Sequence, residues 1–445
     1  MLLGMPSEPG FPIGTVAVVG LGKIGLPLAA QFAGKGWSVI GCDVLPQVVA
    51  TINAGHSHIH EEPGLEEAVA NCVAAGKLRA TLDTTAATAE ADAVVVIVPL
   101  VVDSEHSIDF GSLDAATNAI AQGLHRGTLV IYETTLPVGT TRNHVGTMLE
   151  TVSGLVAGKD FDLAFSPERL YAGRIFEDLE RYPKIVGGID PRSTGRAAAF
   201  YRSVLDAEVW AVENAETAEF AKLAETTYRD VNIALANQLA LYAADRPVNV
   251  AQAFKAANSQ PFSHLHRPGI GVGGHCIPVY PHFLLSDATD GELDLVRIAR
   301  ATNDSMADRA VDLIRDTLGG LDRRRVLVLG ASYRENVKEL AFSTAIRVVE
   351  RLHRDGAHVL IHDPYFEPAE LAALEAEVAD LRSKAPLDVD AIVVQAFHND
   401  YRDLEWTRFR GLEAVFDGRG LVDPEPVRAA GARYLTFAGT VRTGA

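Results

Sequence analysis

The sequence lacks a disulfide framework, a membrane-spanning segment and a secretory signal. Only three cysteines are present, Cys42, Cys72 and Cys276, and so odd and sparse a set fits free thiols in a reducing compartment. No apolar stretch reaches the roughly 20 residues that a membrane span needs. The N-terminal residues lack the basic start and the apolar stretch of a signal peptide. We therefore expect a cytoplasmic protein with no membrane partner and a flexible leader over residues 1–13.

Positive charge is also scarce. The 445 residues include 40 Lys and Arg against 58 Asp and Glu, a formal net charge of −18. A balance this acidic disfavours a nucleic-acid partner, because the phosphates would be repelled. An anionic small ligand is still compatible with it, since a few local lysines or arginines override the net field.

Short apolar runs alternate with helical stretches in both halves of the chain, which predicts parallel sheets covered by helices. The predicted strands lie at 15–19, 38–43, 92–98, 128–133 and 184–188, and later at 325–330, 358–362, 391–395 and 414–417. Between the two series, residues 215–244 contain neither Gly nor Pro and predict one long helix with Asn214 as its N-cap. The Pro-, Gly- and His-rich residues 258–274 predict a loop.

These elements indicate the α/β fold class, with two Rossmann-like doubly wound domains joined by a central helical domain that contains the long connecting helix. A chain of this length is too long for a single core, so several domains are expected. The expected divisions are the leader over 1–13, a first Rossmann domain over 14–212, a central domain over 213–305 and a second Rossmann-like domain over 306–445.

A glycine motif follows the first predicted strand and begins a helix. Gly20, Gly22 and Gly25 suit the tight turn, the close approach of a pyrophosphate and the close packing of helix on strand. The helix N-terminus supplies free N–H groups for phosphate. Asp43 ends the next strand, where its carboxylate would accept ribose hydroxyls and repel a 2′-phosphate. The motif therefore predicts NAD rather than NADP, the alternative being a glycine-rich turn without a ligand.

Four glycines among residues 269–274 precede His275 and Cys276. So many glycines cost chain entropy and suit a loop whose backbone presses close to a ligand. A thiolate delivered by such a loop can act as a nucleophile, whereas a small buried cysteine is the competing interpretation. For Cys42, in a predicted strand, and Cys72, in an Ala-rich helix, we expect only packing roles.

Taken together and in order, eight segments resemble the UDP-glucose and UDP-N-acetylhexosamine 6-dehydrogenase family. They are GLGKIGLPLA at 20–29, IHEEPGLEE at 59–67, TTLPVGTT at 134–141, SPERLYAG at 166–173, AEFAKLAETTYRDVNIALAN at 218–237, HRPGIGVGGHCIPV at 266–279, GASYRENVKELAFS at 330–343 and HDPY at 362–365. The resemblance implies two NAD-dependent oxidations of the sugar C6 alcohol, through a Cys276 thiohemiacetal and thioester that water then releases as the acid.

The resemblance also implies roles for individual residues. It assigns Lys222 to oxyanion stabilisation or proton transfer, Glu168 to the positioning of water, and Thr135 to the neighbourhood of the nicotinamide. For the cofactor it adds Lys23, Ile24, Pro99 and Arg334. For the substrate it adds Arg169, Arg229, Asn232, His266, Arg267, Gly269 and Gly273, together with Glu168 and Lys222. No metal is expected.

Two positions depart from the family pattern. Tyr280 stands where the family usually has Asp, and Thr226 where it has Asn, and both positions normally support the oxyanion or the base. Three functions are therefore open: a complete four-electron dehydrogenase, a variant that stops at the aldehyde, and a nucleotide-sugar-binding protein with weakened catalysis.

The sugar and the assembly are predicted from smaller details of the same resemblance. SPERLYAG with Ala172, RDVN at 229–232 and YRENVKE at 333–339 favour the N-acetylhexosamine branch, with UDP-GlcNAc or UDP-ManNAc as substrate and UDP-glucose as the alternative. The family associates through its central helix, which implies a homodimer or a higher homo-oligomer. Apolar residues compatible with such a face are Phe220, Leu223, Leu235 and Leu239.

Overall fold

The computed structural model describes residues 11–103, 107–171, 173–383 and 385–438. Ala172 and most of the expected leader lie outside these residues. The chain divides into two compact units, residues 1–225 and 226–445, called here the N-terminal and C-terminal units. Phe11, which was assigned to the leader, is buried, and its ring lies 5.7 Å from Trp37 and 5.8 Å from Phe200. Among the described residues, no helix combines the length and apolarity required to cross a bilayer.

The N-terminal unit is built around an eight-stranded sheet in the order β10-β9-β8-β7-β4-β1-β2-β3, whose neighbours are parallel except for β8 and β9. The strands of the whole unit, in chain order, are β1 Thr15–Val19, β2 Ser38–Cys42, β3 Leu78–Thr81, β4 Ala93–Val96, β5 Val101–Val102, β6 Ile108–Asp109, β7 Leu129–Tyr132, β8 Asp162–Phe165, β9 Lys184–Gly188 and β10 Val209–Ala211. Its helices are α1 Gly25–Gly34, α2 Pro46–Asn53, α3 Leu65–Ala74, α4 Thr84–Glu90, α5 Gly111–Gly123, α6 Thr147–Ser153, α7 Ile175–Arg181 and α8 Pro191–Val204.

Alternate side chains of β1 enter two different apolar clusters, which shows that both faces of this sheet are covered. Val16 and Val18 pack into one cluster, and Ala17 and Val19 into the other. Strands buried on both faces appear in a sequence as continuous apolar runs, the signal that predicted them. The doubly wound arrangement expected from the sequence is thus confirmed for this unit.

The C-terminal unit contains a six-stranded parallel sheet in the order β13-β12-β11-β15-β17-β18. Its strands are β11 Arg325–Leu329, β12 His358–His362, β13 Glu377–Val378, β14 Leu387–Asp388, β15 Ala391–Val394, β16 Phe409–Arg410, β17 Ala414–Asp417 and β18 Arg433–Leu435. The helices from the boundary onward are α9 Ala215–Ala243, α10 Val250–Ala257, α11 Tyr280–Leu285, α12 Asp294–Leu318, α13 Thr344–Arg354, α14 Pro368–Ala372 and α15 Pro424–Ala429.

The long predicted helix is α9, and the boundary between the two units lies within it. Asn214 caps it as predicted, because the Asn214 Oδ1 accepts a hydrogen bond of 2.8 Å from the Thr217 backbone N–H. The second Rossmann-like sheet and the loop at 258–274 are also confirmed.

Candidate cofactor and catalytic site

The glycine motif after β1 has a separate physical reason for each glycine. Gly20 adopts φ +94°, and a Cβ there would lie 2.4 Å from the Ile97 carbonyl oxygen. A Cβ at Gly25, where α1 begins, would lie 1.8 Å from the Gly20 carbonyl oxygen. A Cβ at Gly22 would meet no atom within 4 Å, so this position is open on the side where a pyrophosphate is expected. The cradle therefore fits a dinucleotide.

Asp43 follows β2 and faces this loop. Its carboxylate accepts hydrogen bonds from the Leu21 N–H at 3.0 Å and the Leu45 N–H at 2.9 Å. The side chain is only half-buried, which leaves lone pairs for ribose hydroxyls. His58, which sequence reasoning missed, is close to Asp43 and Leu21, and burial lowers its pKa although Asp43 opposes that shift. This position beside the glycine loop is the one expected of an acid that accepts ribose hydroxyls.

The other cofactor residues are gathered by the topology of the sheet. Each of these residues follows one of five neighbouring strands that are all parallel. In chain order, β1 is followed by the glycine loop, β2 by Asp43, β4 by Pro99, β7 by Thr135 and β8 by Glu168. Carboxyl ends of parallel strands meet at one edge, where α/β proteins bind their ligands. Lys23 is exposed and Ile24 is half-buried against the core on this loop.

Lys222 and Glu168, assigned to catalysis from the resemblance, are brought together. The Lys222 Nζ donates a 2.5 Å hydrogen bond to the Glu168 backbone carbonyl, and Lys222 is buried rather than solvated. Burial raises the pKa of Glu168 to about 6, against the opposing charges of Lys222 and Lys184. A carboxyl with this pKa can exchange a proton near neutral pH. The neighbouring Arg169 pairs with Glu225 at 2.9 Å.

A buried ionic cluster close to Glu168 was not predicted. The Lys184 Nζ lies 2.6 Å from a Glu133 carboxylate oxygen, and the Tyr201 hydroxyl donates to the other oxygen at 2.5 Å. Glu133 and Tyr201 are fully buried, and burial with the adjacent Glu133 charge raises the pKa of Tyr201 well above its usual value. These residues are far apart in the sequence, and no local sequence pattern predicts that they are in contact.

Cys276 lies in the C-terminal unit, just before α11. Its carbonyl accepts hydrogen bonds from the Val279 N–H at 3.2 Å and the Tyr280 N–H at 2.9 Å. Cys276 is half-buried, whereas Cys42 and Cys72 are buried. Burial raises the pKa of the Cys42 thiol to about 12 and also raises that of Cys72, which makes both poor nucleophiles.

The glycines before Cys276 pack against the chain itself. A Cβ at Gly273 would lie 2.5 Å from the Tyr333 Cβ, and one at Gly271 would lie 2.8 Å from the Thr344 Cγ2. Gly269 has only ordinary contacts, and its N–H donates to the Asn237 Oδ1 at 2.8 Å. The crowding at Gly271 and Gly273 therefore comes from side chains and backbone carbonyls of the same unit, whereas the sequence suggested a ligand.

The remaining predicted ligand residues of the C-terminal unit lie on α9 and on two loops. Burial lowers the pKa of His266, and the positive charge of Arg229 adds to this shift. Arg267 is exposed. The Asn232 amide donates to the Tyr228 carbonyl of its own helix at 3.0 Å. The Arg334 Nε donates to the Tyr333 hydroxyl at 3.0 Å.

Two further predicted positions are those that depart from the family pattern. Thr226 is buried on α9. Tyr280 is the first residue of α11, and its ring lies 5.3 Å from Phe283. Both hydroxyls are therefore carried by helices.

The C-terminal unit repeats the geometry of the glycine turn, but the acid beside that turn is not accessible to a ligand as Asp43 is. Gly330 has φ +85°, and Asp363 accepts from the Ala331 N–H at 2.8 Å, as Asp43 does from Leu21. However, Asp363 is buried, and the fully buried His398 Nε2 lies 2.9 Å from its carboxylate. This acid is occupied by the protein, so the first Rossmann unit is the one equipped for the dinucleotide ribose.

Comparison with known families agrees with this division. Residues 14–205 match the NAD-binding domain of the UDP-glucose/GDP-mannose dehydrogenase family, 216–305 its central domain, and 327–424 its UDP-binding domain. The chain belongs to this family. Members are NAD-dependent nucleotide-sugar dehydrogenases, so the chain is an oxidoreductase that uses NAD and has a UDP-binding domain, not merely a nucleotide-sugar-binding protein.

Relatives within the UDP-glucose/GDP-mannose dehydrogenase family support the N-acetylhexosamine branch. A UDP-N-acetyl-D-mannosamine dehydrogenase of Pyrococcus horikoshii is 35% identical over 93% of this chain and 97% of its own. A solved structure of that enzyme type from P. horikoshii has a TM-score of 0.86, with 35% identity, over 95% and 99% of the two chains. An NDP-N-acetyl-D-galactosaminuronic acid dehydrogenase structure from Methanosarcina mazei has a TM-score of 0.85, with 30% identity, over 96% of each chain.

Proposed function

We propose that this dehydrogenase oxidises the C6 alcohol of a UDP-N-acetylhexosamine to the uronic acid in two steps, with UDP-ManNAc as the first candidate substrate and UDP-GlcNAc as the second. The relatives that match nearly the whole chain and carry the first of these sugars in their names support this choice. The SPERLYAG and RDVN segments favour the same branch.

The observation that carries the proposal is the state of the three thiols. Cys42 and Cys72 are buried with raised pKa values, and Cys276 alone of the three is partly exposed. Bound NAD accepts a hydride in each oxidation. The first oxidation turns the alcohol into an aldehyde, whose carbon has no alkoxide from which a second hydride can leave.

Cys276 solves this difficulty by covalent catalysis. Its thiolate adds to the aldehyde carbon, the carbonyl π-bond becomes an oxyanion, and a thiohemiacetal forms. Loss of a hydride from that carbon restores the carbonyl as a thioester. Water then adds, the carbon–sulfur bond breaks, and the acid and the free thiol are released.

Lys222, Glu168 and Thr135 are also proposed to be catalytic. The buried Lys222 ammonium stabilises oxyanions, since a cation acts more strongly where water is excluded. Glu168, with a pKa of about 6, is ionised at neutral pH and activates water. Thr135, which follows β7 at the carboxyl edge of the sheet, faces the nicotinamide.

Basic and polar side chains are proposed to bind the substrate. Arg229 and His266, which interact electrostatically, are suited to phosphate or acetamido oxygens. Arg334 is suited to face the bound ligands. A complete listing of the proposed substrate residues adds Arg169, Asn232, Arg267, Gly269 and Gly273.

An enzyme that stops at the aldehyde is the second candidate. The specific observation in its favour is that Tyr280 and Thr226 replace the usual carboxylate and amide. The neutral Tyr280 hydroxyl supplies less negative charge for activating water than the usual carboxylate, and Thr226 lacks the donor and acceptor pair of the usual amide. The first oxidation depends less on these two groups, so the variant would release an aldehyde.

The experiment that separates these functions is product analysis with a panel of UDP-ManNAc, UDP-GlcNAc, UDP-GalNAc and UDP-glucose in the presence of NAD. We expect the corresponding N-acetylhexosaminuronic acid, and no acid from the Cys276→Ala variant. Cys72→Ala is the matched control and should keep acid formation. Acid formation by Cys276→Ala would contradict the covalent mechanism, and aldehyde as the wild-type product would favour the second candidate.

A homodimer and a three-domain division, with limits at 14–212, 213–305 and 306–445, are also proposed. Phe220, Leu235, Leu239 and Tyr242 of α9 are exposed although apolar, which suits a face covered by a second copy. Leu223, the fourth residue suggested by the sequence, is fully buried within the chain and is not available to a partner. The limit at residue 305 lies within α12.

A further inference from the structure

Glu219 is a buried carboxylate on α9, one helical turn before Lys222. It is 0% exposed, and it accepts three hydrogen bonds from a single loop. The donors are the Gly139 N–H at 2.6 Å, the Thr141 N–H at 2.8 Å and the Thr141 hydroxyl at 2.6 Å. Both carboxylate oxygens are used, so the loop is fixed in position and in orientation.

Burying a carboxylate costs free energy, so the position of Glu219 points to a role in the structure or in the function. Burial raises the pKa of Glu219 to about 7, despite the three donors that oppose the shift. Glu216 on the same helix and Arg142 both interact electrostatically with Glu219, and they pair with each other at 2.6 Å. Among the described residues no ion pair to Glu219 is found, and its hydrogen-bond donors are the two backbone N–H groups and the Thr141 hydroxyl.

The two elements that Glu219 joins are those that carry proposed catalytic groups. The loop at 136–141 directly follows Thr135, and its Leu136 is fully buried. Residues three apart on a helix lie on one face, about 4.5 Å apart along the axis at 1.5 Å per residue. Lys222 therefore extends from α9 beside the carboxylate that holds the Thr135 loop.

We propose that Glu219 is a positioning residue for hydride transfer, which holds the segment carrying Thr135 in register with the helix carrying Lys222. This inference rests on the proposed roles of Thr135 and Lys222. Glu219 itself is buried under the loop and acts only through these two residues. Small displacements of reacting groups are costly in rate while leaving the ligands bound.

Glu219→Gln tests the proposal with almost no change of volume. The amide replaces one acceptor oxygen by a donor, which then faces an N–H or hydroxyl donor of the loop. We expect the rate of the first hydride transfer, measured as the pre-steady-state formation of NADH, to fall about 10- to 100-fold. The KM values for NAD and for the UDP-sugar should stay within about threefold, because the groups that bind them are unchanged.

Glu216→Gln is the matched control. It removes the preceding carboxylate of the same helix, which pairs with Arg142 at the surface, and should leave the rate within about twofold. Thr141→Val removes only the hydroxyl donor, so it keeps the test available if Glu219→Gln does not fold. It should slow hydride transfer by a smaller factor and add little to the effect of Glu219→Gln, since both changes break the same contact.

The proposal would be overturned if Glu219→Gln transferred the first hydride within twofold of the wild-type rate, or if it raised KM and left kcat unchanged. If Glu219→Gln does not fold, an unaltered rate of hydride transfer in Thr141→Val would overturn it. The readout is independent of the cysteine mechanism, since the first hydride transfer precedes the covalent step. If the wild type releases an aldehyde, the proposed acid-forming function fails while the Glu219 result still stands or falls by itself.

Discussion

Lowering the pH should slow acid release before it slows hydride transfer, because Glu168 loses its charge. Burial raises the pKa of this carboxyl to about 6. A group that activates water must be ionised, and about nine tenths of it is ionised one pH unit above its pKa but only about one tenth one unit below. The rate of thioester hydrolysis should therefore fall about tenfold between pH 7 and pH 5.

Rapid-quench measurements of uronic acid, taken after the formation of NADH, give this rate directly. Glu168→Gln should hydrolyse the thioester slowly at every pH and lose the acidic limb. Glu177→Gln, which removes an exposed carboxylate of α7 paired with Arg181, is the matched control and should keep the wild-type profile.

Protonation of Glu168 does not unfold the protein at low pH, so unfolding through this residue cannot explain the predicted fall in hydrolysis rate. Its folded pKa is raised above the ordinary value of 4.5, so its contribution to stability is fully present below pH 4.5 and is lost as the pH rises through about 6. The limb must therefore come from chemistry. A hydrolysis rate that is constant from pH 5 to pH 8, or an unchanged limb in Glu168→Gln, would refute the role given to this residue.

Three other predictions concern the cofactor, the core and the assembly. Asp43→Ser should raise the KM for NAD about 10-fold or more, because it removes a charged hydrogen-bond acceptor worth roughly 1.5–3 kcal/mol. The same variant should lower the KM for NADP. Unchanged initial rates with both cofactors would count against the ribose assignment. Asp230→Ala should destabilise the C-terminal unit by roughly 1–3 kcal/mol in hydrogen exchange, because the buried Arg300 loses the carboxylate 2.5 Å away and is left with Asp304 at 2.7 Å. Equal protection in the variant would contradict this. Leu239→Glu should convert a dimer to monomers in light scattering, and an unaltered mass would exclude α9 as the interface.

Nine of the fourteen strands in the two main sheets could be predicted, because buried parallel strands are continuous apolar runs between loops. The predictions missed β3, β8, β10, β13 and β18, and the reason can be identified for β3 and β8. β3 has the sequence LRAT, whose arginine interrupts the apolar pattern. β8 begins with Asp162, a fully buried acid that is tolerated only because Arg192 and Arg196 pair with it from α8.

The dinucleotide loop was predictable because its glycines and acid act locally. The supports of the proposed catalytic groups were not, because they depend on contacts between distant segments. Glu219 and Thr141 are 78 residues apart, and Glu133 and Lys184 are 51 apart. By itself the sequence left Lys222 as a solvated helix residue, and only its burial beside Glu168 distinguishes the two cases.

The central claim is that the enzyme oxidises the alcohol to the acid in two steps, the second of them through Cys276. The most direct measurement is the amount of NADH formed per UDP-ManNAc consumed, counted at complete conversion with excess NAD. Two NADH per sugar, with none of the uronic acid formed by Cys276→Ala, is the predicted result. One NADH per sugar with an aldehyde product, or two with Cys276→Ala, would contradict it.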